Sequence, residues 1–491
     1  MKYISTRGCD DGSDAARAIL RGLAPDGGLF VPSEIPAFTE SELELLKTCS
    51  YESAATLVFK KYLVGFSDEE IACCVHSAYG SGAFEDCDVI DITTCGNGTK
   101  ILELWHGPTC AFKDVALQAL PTLLVQSAKK CGERDKIAVL VATSGDTGKA
   151  ALEGFRDVPG TSVTVLYPKD GVGELQRRQM VTQRGENVRV IAVRGNFDDA
   201  QSAVKRVFSD AHIASSLETR GVKLSSANSI NWGRLLPQIV YYALASERLS
   251  AAGERVDFAV PTGNFGNILA AYYAKRMGAP VGTLICASNA NNVLTDFIES
   301  GVYDRNRPFY KTLSPSMDIL VSSNLERLLF ELSGRDCSAV SGFMRSLSDS
   351  GRYNVGETLS GAVRELFYAG CCSDTRTRET IKRVWREHGY LADPHTATAL
   401  AVREDFARER GYKTAVVAST ASAFKFPAAV YSALFGGHEL SLMDDYDALQ
   451  QLSCHTELSI PSPLRSLGSL PTLHCEECSP DELSTLLAET L

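Results

Sequence analysis

From about residue 100 onward, short β-branched runs alternate with helical stretches, and this alternation limits the possible folds more than any other pattern in the sequence. The runs are apolar at successive positions, so both faces of each strand would be buried. Strands of this kind occur in parallel sheets that are covered by helices on both sides. The sequence therefore predicts an α/β fold, with its clearest strands at 136–142, 162–167, 188–193, 256–260, 283–287 and 414–418.

The first hundred residues have a different pattern. Segments 40–49 and 51–64 carry apolar residues at helical spacing, which predicts a mainly helical N-terminal domain. The total length of 491 residues is enough for two or three domains. Apolar residues make up 44% of the chain and charged residues 22%, which is typical of a globular protein that can fill a core.

Charge is distributed unevenly along the chain. The formal net charge is −11, which argues against a nucleic-acid-binding surface. Residues 437–491 contain ten acidic residues and one basic residue, so the rest of the chain is close to neutral. Four prolines in the same segment predict an irregular, acidic C-terminal appendage that ends in a short helix.

The cysteines and the apolar runs indicate the compartment. The fifteen cysteines are odd in number and scattered, which favours reduced thiols over a disulfide framework. No apolar run approaches the roughly 20 residues that cross a bilayer, and the opening residues lack the apolar region of a secretory leader. We therefore expect a soluble, cytoplasmic protein with no membrane partner.

Two loops that follow predicted strands could bind anions. Ser144, Gly145, Asp146 and Thr147 offer hydroxyls and N–H groups at a helix start, suited to a carboxylate or a phosphate. This loop lacks features of a nucleotide-binding P-loop, and a tight turn is the structural alternative. The second loop spans 262–267, and its glycines would let the backbone approach a single phosphate; its spacing does not match a dinucleotide site.

A third strand end and one lysine complete the set. Ser419 and Thr420 could satisfy a ring nitrogen or a phosphate oxygen, although hydroxyls also cap helices. Lys113 lies among apolar residues, so burial should lower its pKa and make the free amine available for Schiff-base chemistry. Alternatively, Lys113 pairs with Asp114 or extends to the surface. Taken together, these are the parts needed to hold pyridoxal phosphate (PLP).

Several stretches resemble the motifs of one enzyme family. They are HGPTCAFKD at 106–114, ATSGDTG at 142–148, PTGNFGN at 261–267, SANSINWGR at 226–234 and STASAFKFP at 419–427, with shorter matches at 3–8, 26–32, 313–319 and 393–397. On these residues, over about 1–436, the chain resembles the threonine synthases, PLP enzymes of fold type II. The resemblance implies two open, twisted, mostly parallel sheets flanked by helices, with a mainly helical N-terminal domain.

The resemblance also implies a role for each matched residue. Lys113 would bind PLP as a Schiff base and act as the acid–base catalyst, and Thr420 would contact the pyridine nitrogen. The groups expected to hold the cofactor phosphate are Gly263, Asn264, Phe265, Gly266 and Asn267. Ser144, Gly145, Asp146 and Thr147 would receive the substrate carboxylate, and Asn228, Ser229 and Arg234 the substrate phosphate. One helical turn could align Asn228, Asn231 and Arg234.

The implied reaction converts O-phospho-L-homoserine and water into L-threonine and phosphate, the last step of threonine biosynthesis. Two alternatives stay open: a related phospho-lyase that releases 2-oxobutyrate, and a catalytically silent binding protein of the same fold. The implied domains are 1–98, a larger PLP-binding domain at 99–130 and 235–436, a smaller domain at 131–234, and the appendage at 437–491. Monomer and homodimer are both compatible with the sequence.

The C-terminal segment has one further pattern. Cys454-His455 and Cys475-x-x-Cys478, with His474, could in principle bind zinc. The flanking residues lack a knuckle-like turn and the resembled family needs no metal. We therefore expect no metal site.

Overall fold

The structure is a computed structural model of the chain and describes residues 1–80, 82–84, 88–96, 98–251, 254–411, 414–436 and 444–490. The strands are β1 Tyr3–Ser5, β2 Phe30–Pro32, β3 Asp91–Thr94, β4 Thr99–Glu103, β5 Lys136–Ala142, β6 Thr161–Pro168, β7 Val188–Val193, β8 Val222–Ser226, β9 Val256–Pro261, β10 Val281–Ser288, β11 Val302–Asp304, β12 Arg352–Asn354, β13 Phe367–Cys371, β14 Ala415–Ser419 and β15 Glu476–Cys478.

The α-helices connect and cover these strands. They are α1 Ala15–Arg21, α2 Glu40–Leu46, α3 Tyr51–Tyr62, α4 Asp68–Val75, α5 Lys113–Leu117, α6 Leu120–Lys130, α7 Asp146–Phe155, α8 Glu174–Val181, α9 Phe197–Ser209, α10 Ala211–Thr219, α11 Trp232–Leu249, α12 Gly266–Arg276, α13 Val293–Ser300, α14 Leu325–Leu332, α15 Cys337–Ser350, α16 Gly356–Leu366, α17 Asp374–His388, α18 Pro394–Arg410, α19 Pro427–Phe435, α20 Asp445–Thr456, α21 Ser462–Arg465 and α22 Leu483–Thr490. Among the described residues, none of the helices combines the length and apolar character required to span a bilayer.

Two sheets organise the molecule. In the described part of the chain, the larger sheet has six strands in the order β13-β10-β9-β14-β4-β3, and only β3 runs antiparallel to its neighbour. The smaller sheet, over the same residues, has five parallel strands in the order β15-β7-β6-β5-β8. The order of β4, β9 and β14 shows that chain segments far apart in sequence become neighbours in the larger sheet.

Both sheets bury their two faces, as the continuous apolar runs predict. In β5, Ile137, Val139 and Val141 face the core that the two sheets share, whereas Leu140 faces a separate cluster beneath the smaller sheet. The larger sheet has the same alternation, with the opposite face packed against α18, and α17 and α19 add to the same apolar cluster. The α/β architecture predicted from these runs is therefore confirmed.

The N-terminal hundred residues pack against the shared core. Helices α1, α3 and α4 contribute to it, together with α11, which is buried along almost its whole length. Trp232, at the start of α11, contacts the rings of Tyr3, Tyr62 and Tyr273. This packing fixes the first residue of α11, and with it the segment that leads from β8 into the helix.

The C-terminal segment differs from an irregular appendage. Its strand β15 extends the smaller sheet by pairing in parallel with β7. Its last helix, α22, packs against α9, with Leu483 and Leu487 fully buried. A short acidic strand gives no apolar pattern, so the sequence alone did not indicate that this segment completes the edge of a sheet.

Candidate active site

Three of the sequence motifs meet at the carboxyl ends of strands in the larger sheet. Strands β9, β14 and β4 are adjacent and parallel, so the loops that follow their carboxyl ends lie side by side. These loops carry the 262–267 glycine loop, Thr420 and the segment that leads into α5 at Lys113. Phe112 N donates to Thr420 O over 2.9 Å, which ties the lysine segment to the hydroxyl loop.

The other two motifs meet at the edge of the smaller sheet. Strands β5 and β8 are neighbours, and they lead into the 143–148 loop and the 226–234 segment. The two sheet edges face each other, because Lys113 Nζ lies 3.1 Å from Asp146 Oδ2. The structure therefore gathers all five motifs around Lys113, between the two sheets.

Lys113 is buried, with 9% of its surface exposed. Burial lowers its pKa, Asp146 opposes that shift, and Lys425 and Arg234 add to it. The lowered pKa confirms the expectation from the apolar sequence around this residue. Of the alternatives, pairing with Asp114 does not occur, because that carboxylate accepts from Thr109 N and Thr109 Oγ1 at 2.8 and 2.6 Å.

Asp146 is the centre of a buried charge cluster, which we define as Asp146, Lys113 and Lys425. Lys425 Nζ lies 2.9 Å from Asp146 Oδ1, opposite the contact with Lys113. Gln176 Nε2 and Ser316 Oγ also donate to the carboxylate, at 2.8 and 3.2 Å. Burial alone raises the pKa of Asp146, but the two lysines outweigh burial and hold that pKa well below its usual range.

This placement changes what Asp146 can do. Its side chain faces two cations, and a negative carboxylate there would repel the carboxylate of a substrate. Within the same loop, Thr143 Oγ1 accepts from Gly145 N and Gly148 N at 3.0 and 2.9 Å. The groups of the loop suited to an incoming carboxylate are therefore the partly exposed hydroxyls of Ser144 and Thr147 and the N–H groups that begin α7.

Ser316 links the charge cluster to a histidine. Lys113 Nζ donates to Ser316 Oγ over 3.2 Å, and Ser316 N donates to His395 Nε2 over the same distance. Because Nε2 accepts, the ring proton lies on Nδ1, which is 2.7 Å from Asp393 Oδ1. The chain Asp393–His395–Ser316 therefore positions the backbone of Ser316, whose hydroxyl lies next to the lysine amine.

The glycine loop after β9 has the geometry of an anion cradle. The carbonyl of Gly263 accepts from Ser322 Oγ and that of Asn264 from Asn324 Nδ2, at 2.7 and 3.0 Å. In a trans peptide the following N–H points the opposite way, so the N–H groups of Asn264 and Phe265 face away from these partners. Phe265 has a φ of +63°, a left-handed conformation that residues other than glycine rarely adopt.

Glycine is required at position 263 by a close approach of backbone. A Cβ atom there would lie 2.6 Å from Ser316 O, a contact that would force the two loops apart. The loop after β9 and the segment carrying Ser316 are thus packed directly against each other.

Two buried polar groups near the loops are left without partners among the described residues. They are Asn267 Nδ2 and Arg234 Nε. Asn267 Oδ1 accepts from Tyr241 and Tyr242, both at 2.7 Å, and Arg234 Nη1 donates to Ala227 O over 2.6 Å. Burial lowers the pKa of Arg234 to about 10. Unsatisfied buried donors of this kind suit an anionic ligand.

The 226–234 segment differs from the helical turn that its spacing predicts. Helix α11 begins at Trp232, so Asn228 precedes the helix. Asn231 is the N-cap residue, accepting from Gly233 N and donating to Ile19 O, and its amide is therefore used for structure. The prediction that Asn228, Asn231 and Arg234 align on one helical turn is wrong, because residues before an N-cap leave the helical path.

Ser229, which follows Asn228, nevertheless lies next to the glycine loop after β9. Both are half-buried, and a Cβ atom added to Gly266 would lie 3.8 Å from Ser229 Cβ. The two segments predicted to bind separate phosphates are therefore neighbours across the gap between the sheets.

This arrangement fits PLP. Lys113 supplies a buried amine with a lowered pKa, the loop after β9 supplies outward N–H groups, and Thr420 supplies a hydroxyl beside the lysine segment.

Four residues around Lys113 were not predicted from the sequence: Lys425, Ser316, His395 and Gln176. The first three lie within the matched segments, and Lys425 stands between Phe424 and Phe426; Gln176 carried no signal.

Two of the residues that could bind zinc, His474 and Cys478, are engaged elsewhere. Within the residues that the structure describes, no three His, Cys, Asp or Glu side chains lie close enough to hold a metal ion together. His474 Nε2 lies 2.9 Å from Gln183 O, and Cys478 is buried in β15.

Comparisons with known proteins agree with this geometry. The family described as "Threonine synthase N terminus" matches residues 2–79, and "Pyridoxal-phosphate dependent enzyme" matches residues 101–421. A threonine synthase of Pseudomonas aeruginosa is 41% identical over 437 residues, which cover 89% of this chain and 91% of that protein. The human protein "Threonine synthase-like 1" is 37% identical over 92% of this chain and 64% of its own length.

A solved structure extends the similarity to the fold. The PLP-bound threonine synthase of Brucella melitensis superimposes with a TM-score of 0.88 and 39% identity, covering 100% of this chain and 99% of that one. The predicted fold type II architecture is confirmed by these matches. The chain therefore belongs to the threonine synthase family of pyridoxal-phosphate-dependent enzymes.

Proposed function

We propose that this protein converts O-phospho-L-homoserine and water into L-threonine and phosphate, with PLP as its cofactor. The observation that carries the proposal is the position of Lys113, a buried amine at which the loops of both sheets meet. Family membership and the matched motifs support the same reaction.

The cofactor would be held from the larger sheet. Lys113 is the proposed point of covalent attachment, and Thr420 would contact the pyridine nitrogen. The proposed phosphate ligands are Gly263, Asn264, Phe265, Gly266 and Asn267. Asn267 Nδ2, which has no partner among the described residues, and the outward N–H groups of the loop support this assignment.

The substrate would be held mainly from the smaller sheet. Ser144, Gly145, Asp146 and Thr147 are the proposed carboxylate loop, with Asp146 taking part through its backbone because its side chain is bound to lysines. Asn228, Ser229 and Arg234 are the proposed ligands of the substrate phosphate. Arg234 Nε has no hydrogen-bond partner in the part of the chain that the structure describes, which supports that role, since guanidinium groups bind phosphate in two-point contacts.

When bound, PLP supplies an electron sink for the electron pairs left as protons leave the substrate. Lys113 would take up and return these protons, because its buried amine has a lowered pKa and lies where the loops of the two sheets meet. Ser316, whose hydroxyl is 3.2 Å from Lys113 Nζ, would keep that amine oriented. Burial of the site between the sheets would limit the access of bulk water, apart from the one water molecule that the reaction consumes.

We also propose a cytoplasmic location and a small-molecule substrate as the partner. The cysteines that the structure describes are free thiols, the state expected in a reducing compartment. Net negative charge outside a locally cationic site suits an anionic metabolite better than a nucleic acid.

A product assay tests the proposal. The purified protein is incubated with PLP and O-phospho-L-homoserine, and threonine, phosphate and 2-oxobutyrate are quantified by chromatography. We expect equal amounts of threonine and phosphate, and loss of both with Lys113→Ala. The matched control is Lys149→Ala, which removes a lysine that pairs with Glu153 on α7. 2-Oxobutyrate as the main product would replace the proposal with a phospho-lyase, and no turnover would indicate a silent homologue.

A further inference from the structure

Lys425 is a second buried lysine beside the catalytic one. Its side chain is 1% exposed and follows the hydroxyl loop at the end of β14. Lys425 Nζ lies 2.9 Å from Asp146 Oδ1 and donates to Thr109 O over 2.8 Å. A lysine in such surroundings is rare unless a specific partner compensates its charge.

The two lysines share one carboxylate. Lys113 binds Oδ2 of Asp146 and Lys425 binds Oδ1, so the cluster contains two cations and one anion. To react with an aldehyde, Lys113 must lose its proton. If Lys113 were the only cation near Asp146, that loss would leave a buried carboxylate without a counter-charge, which is strongly unfavourable.

We propose that Lys425 is a positioning residue that neutralises Asp146 and thereby allows Lys113 to release its proton and react with PLP. With Lys425 in place, the Asp146–Lys425 pair remains neutral after Lys113 has become neutral. The inference rests on the proposed function, because it takes Lys113 as the attachment point of the cofactor.

Other charged groups around Lys113 agree with this division of roles. Burial is the largest cause of the lowered pKa of Lys113. Arg234 of α11 lowers that pKa as well, in the same direction as Lys425. Asp114, on the same helix as Lys113, is bound to Thr109. His395 of α18 contacts the site through Ser316 N. Among the described residues, Asp146 is thus the carboxylate bound to Lys113, and Lys425 is the other cation bound to Asp146.

The reaction that reports on the inference is condensation of Lys113 with PLP. The lone pair of the neutral amine attacks the aldehyde carbon, a C=N bond forms, and the aldehyde oxygen leaves as water. Its rate follows the fraction of neutral Lys113, so its dependence on pH measures how readily this residue loses its proton.

The experiment compares the full-length wild-type protein with Lys425→Met, Lys425→Gln and Lys425→Arg. Each protein is stripped of cofactor with hydroxylamine, mixed with PLP over a range of pH, and followed by visible absorbance. Borohydride reduction and peptide mass spectrometry then identify the modified lysine. We expect the pH midpoint of condensation to rise by about one unit or more in the Met and Gln variants. At a fixed pH below the midpoint, a rise of one unit corresponds to a reaction about tenfold slower. We expect the Arg variant to stay near wild type.

Lys425→Gln separates charge from hydrogen bonding, because it keeps a donor for Thr109 O and loses the cation. If the pH midpoint of Lys425→Gln equals that of the wild type, Lys425 acts only through its hydrogen bond to Thr109 O, and the proposal is overturned. Modification of Lys425 by PLP would overturn it as well. If neither neutral variant folds by circular dichroism while Lys425→Arg does, Lys425 serves stability alone and the proposal is wrong.

Lys149→Met is the matched control, since Lys149 lies on the same helix as Asp146 but pairs with Glu153. Its midpoint should equal that of wild type. A wild-type protein that binds PLP at Lys113 but forms no threonine contradicts the proposed function and leaves the test of Lys425 valid, because condensation needs no substrate.

Discussion

The charge cluster of Asp146, Lys113 and Lys425 and the ion pairs that join the C-terminal segment to the smaller sheet use the same chemistry in different surroundings. In the cluster, the side chains of Asp146 and Lys425 are 3% and 1% exposed. In the C-terminal segment, those of Arg189 and Glu476 are 27% and 34% exposed, although the pair is bidentate.

This difference in burial separates two uses of charge. A buried ion pair carries a large desolvation penalty, so removing one partner strongly affects the protonation of the other. An exposed pair is screened by water and salt and contributes little to stability. The cluster is therefore suited to controlling a reactive amine, whereas attachment of the C-terminal segment depends mainly on strand pairing and on buried leucines.

The strongest test of this comparison removes the central charge of the cluster. We expect Asp146→Asn to reduce kcat/KM for threonine formation by about 100- to 1000-fold, because two buried lysines lose their carboxylate. We also expect a stability loss of about 3–5 kcal/mol. Steady-state kinetics and thermal unfolding measure the two effects. Glu153→Gln on the same helix is the control, and an activity of Asp146→Asn close to wild type would contradict the assignment.

The second prediction concerns the C-terminal segment. Leu487 is fully buried against the smaller sheet, so Leu487→Ala should destabilise the protein by about 2–5 kcal/mol through loss of packing. The urea midpoint measures stability, and hydrogen exchange in β7 shows whether the edge of the sheet opens. Thr485→Ala, at an exposed position of the same helix, should change little. Equal effects of the two substitutions would show that packing of α22 does not hold the segment.

A third prediction uses Asp114, a buried carboxyl that is not bound to a lysine. Burial raises its pKa from 3.8 to about 6, although hydrogen bonds from Thr109 oppose the shift. The folded state therefore binds the proton more tightly than the unfolded state, so this stabilisation is present at low pH and is lost as pH rises from about 4 through 6. Relative to Asp114→Asn, the wild type should lose up to about 3 kcal/mol over that window.

Urea midpoints of both proteins between pH 4 and 7 check this prediction. Loss of a hydrogen bond in the Asn variant would add an offset that does not change with pH. A stability difference that is constant with pH would therefore contradict the raised pKa of Asp114. The exposed Asp170→Asn is the control.

The smallest expected effect comes from an exposed pair. Glu476→Gln should cost less than about 1 kcal/mol, because both partners are partly solvated. The effect should shrink further near 1 M salt, where the screening length is about 3 Å. Thermal unfolding at low and high salt measures it. A loss as large as that of Leu487→Ala would mean that ion pairs hold the C-terminal segment, and the comparison would fail.

Much of the fold was accessible from local pattern. Strands β5 and β7 have the predicted bounds, and β6, β9, β10 and β14 differ by one or two residues at their ends. Within the two sheets, strands β3, β4, β8, β13 and β15 were not predicted. Lys223 interrupts the apolar run of β8, and β15 contains two glutamates; such strands are stabilised by pairing with neighbours and not by their own sequence.

The candidate site shows the same division. Residue type and position at strand ends indicated Lys113, the glycine loop and Thr420, because backbone N–H groups, hydroxyls and a desolvated amine have definite chemistry wherever they occur. The roles of the individual site residues remain predictions until the variants are measured. The alignment of Asn228 and Asn231 failed because a helix start depends on capping and on the packing of Trp232.

Local composition and periodicity were enough to predict the α/β class, the motifs and the burial of Lys113. The carboxylate that neutralises this lysine could not be predicted from them and became evident in the folded chain. Asp146 follows strand β5 of the smaller sheet, whereas Lys113 follows strand β4 of the larger sheet. Lys425 contacts the carbonyl of Thr109, which is 316 residues away in sequence. Charges interact through space over a few ångströms, so their partners depend on the path of the whole chain and not on separation in sequence.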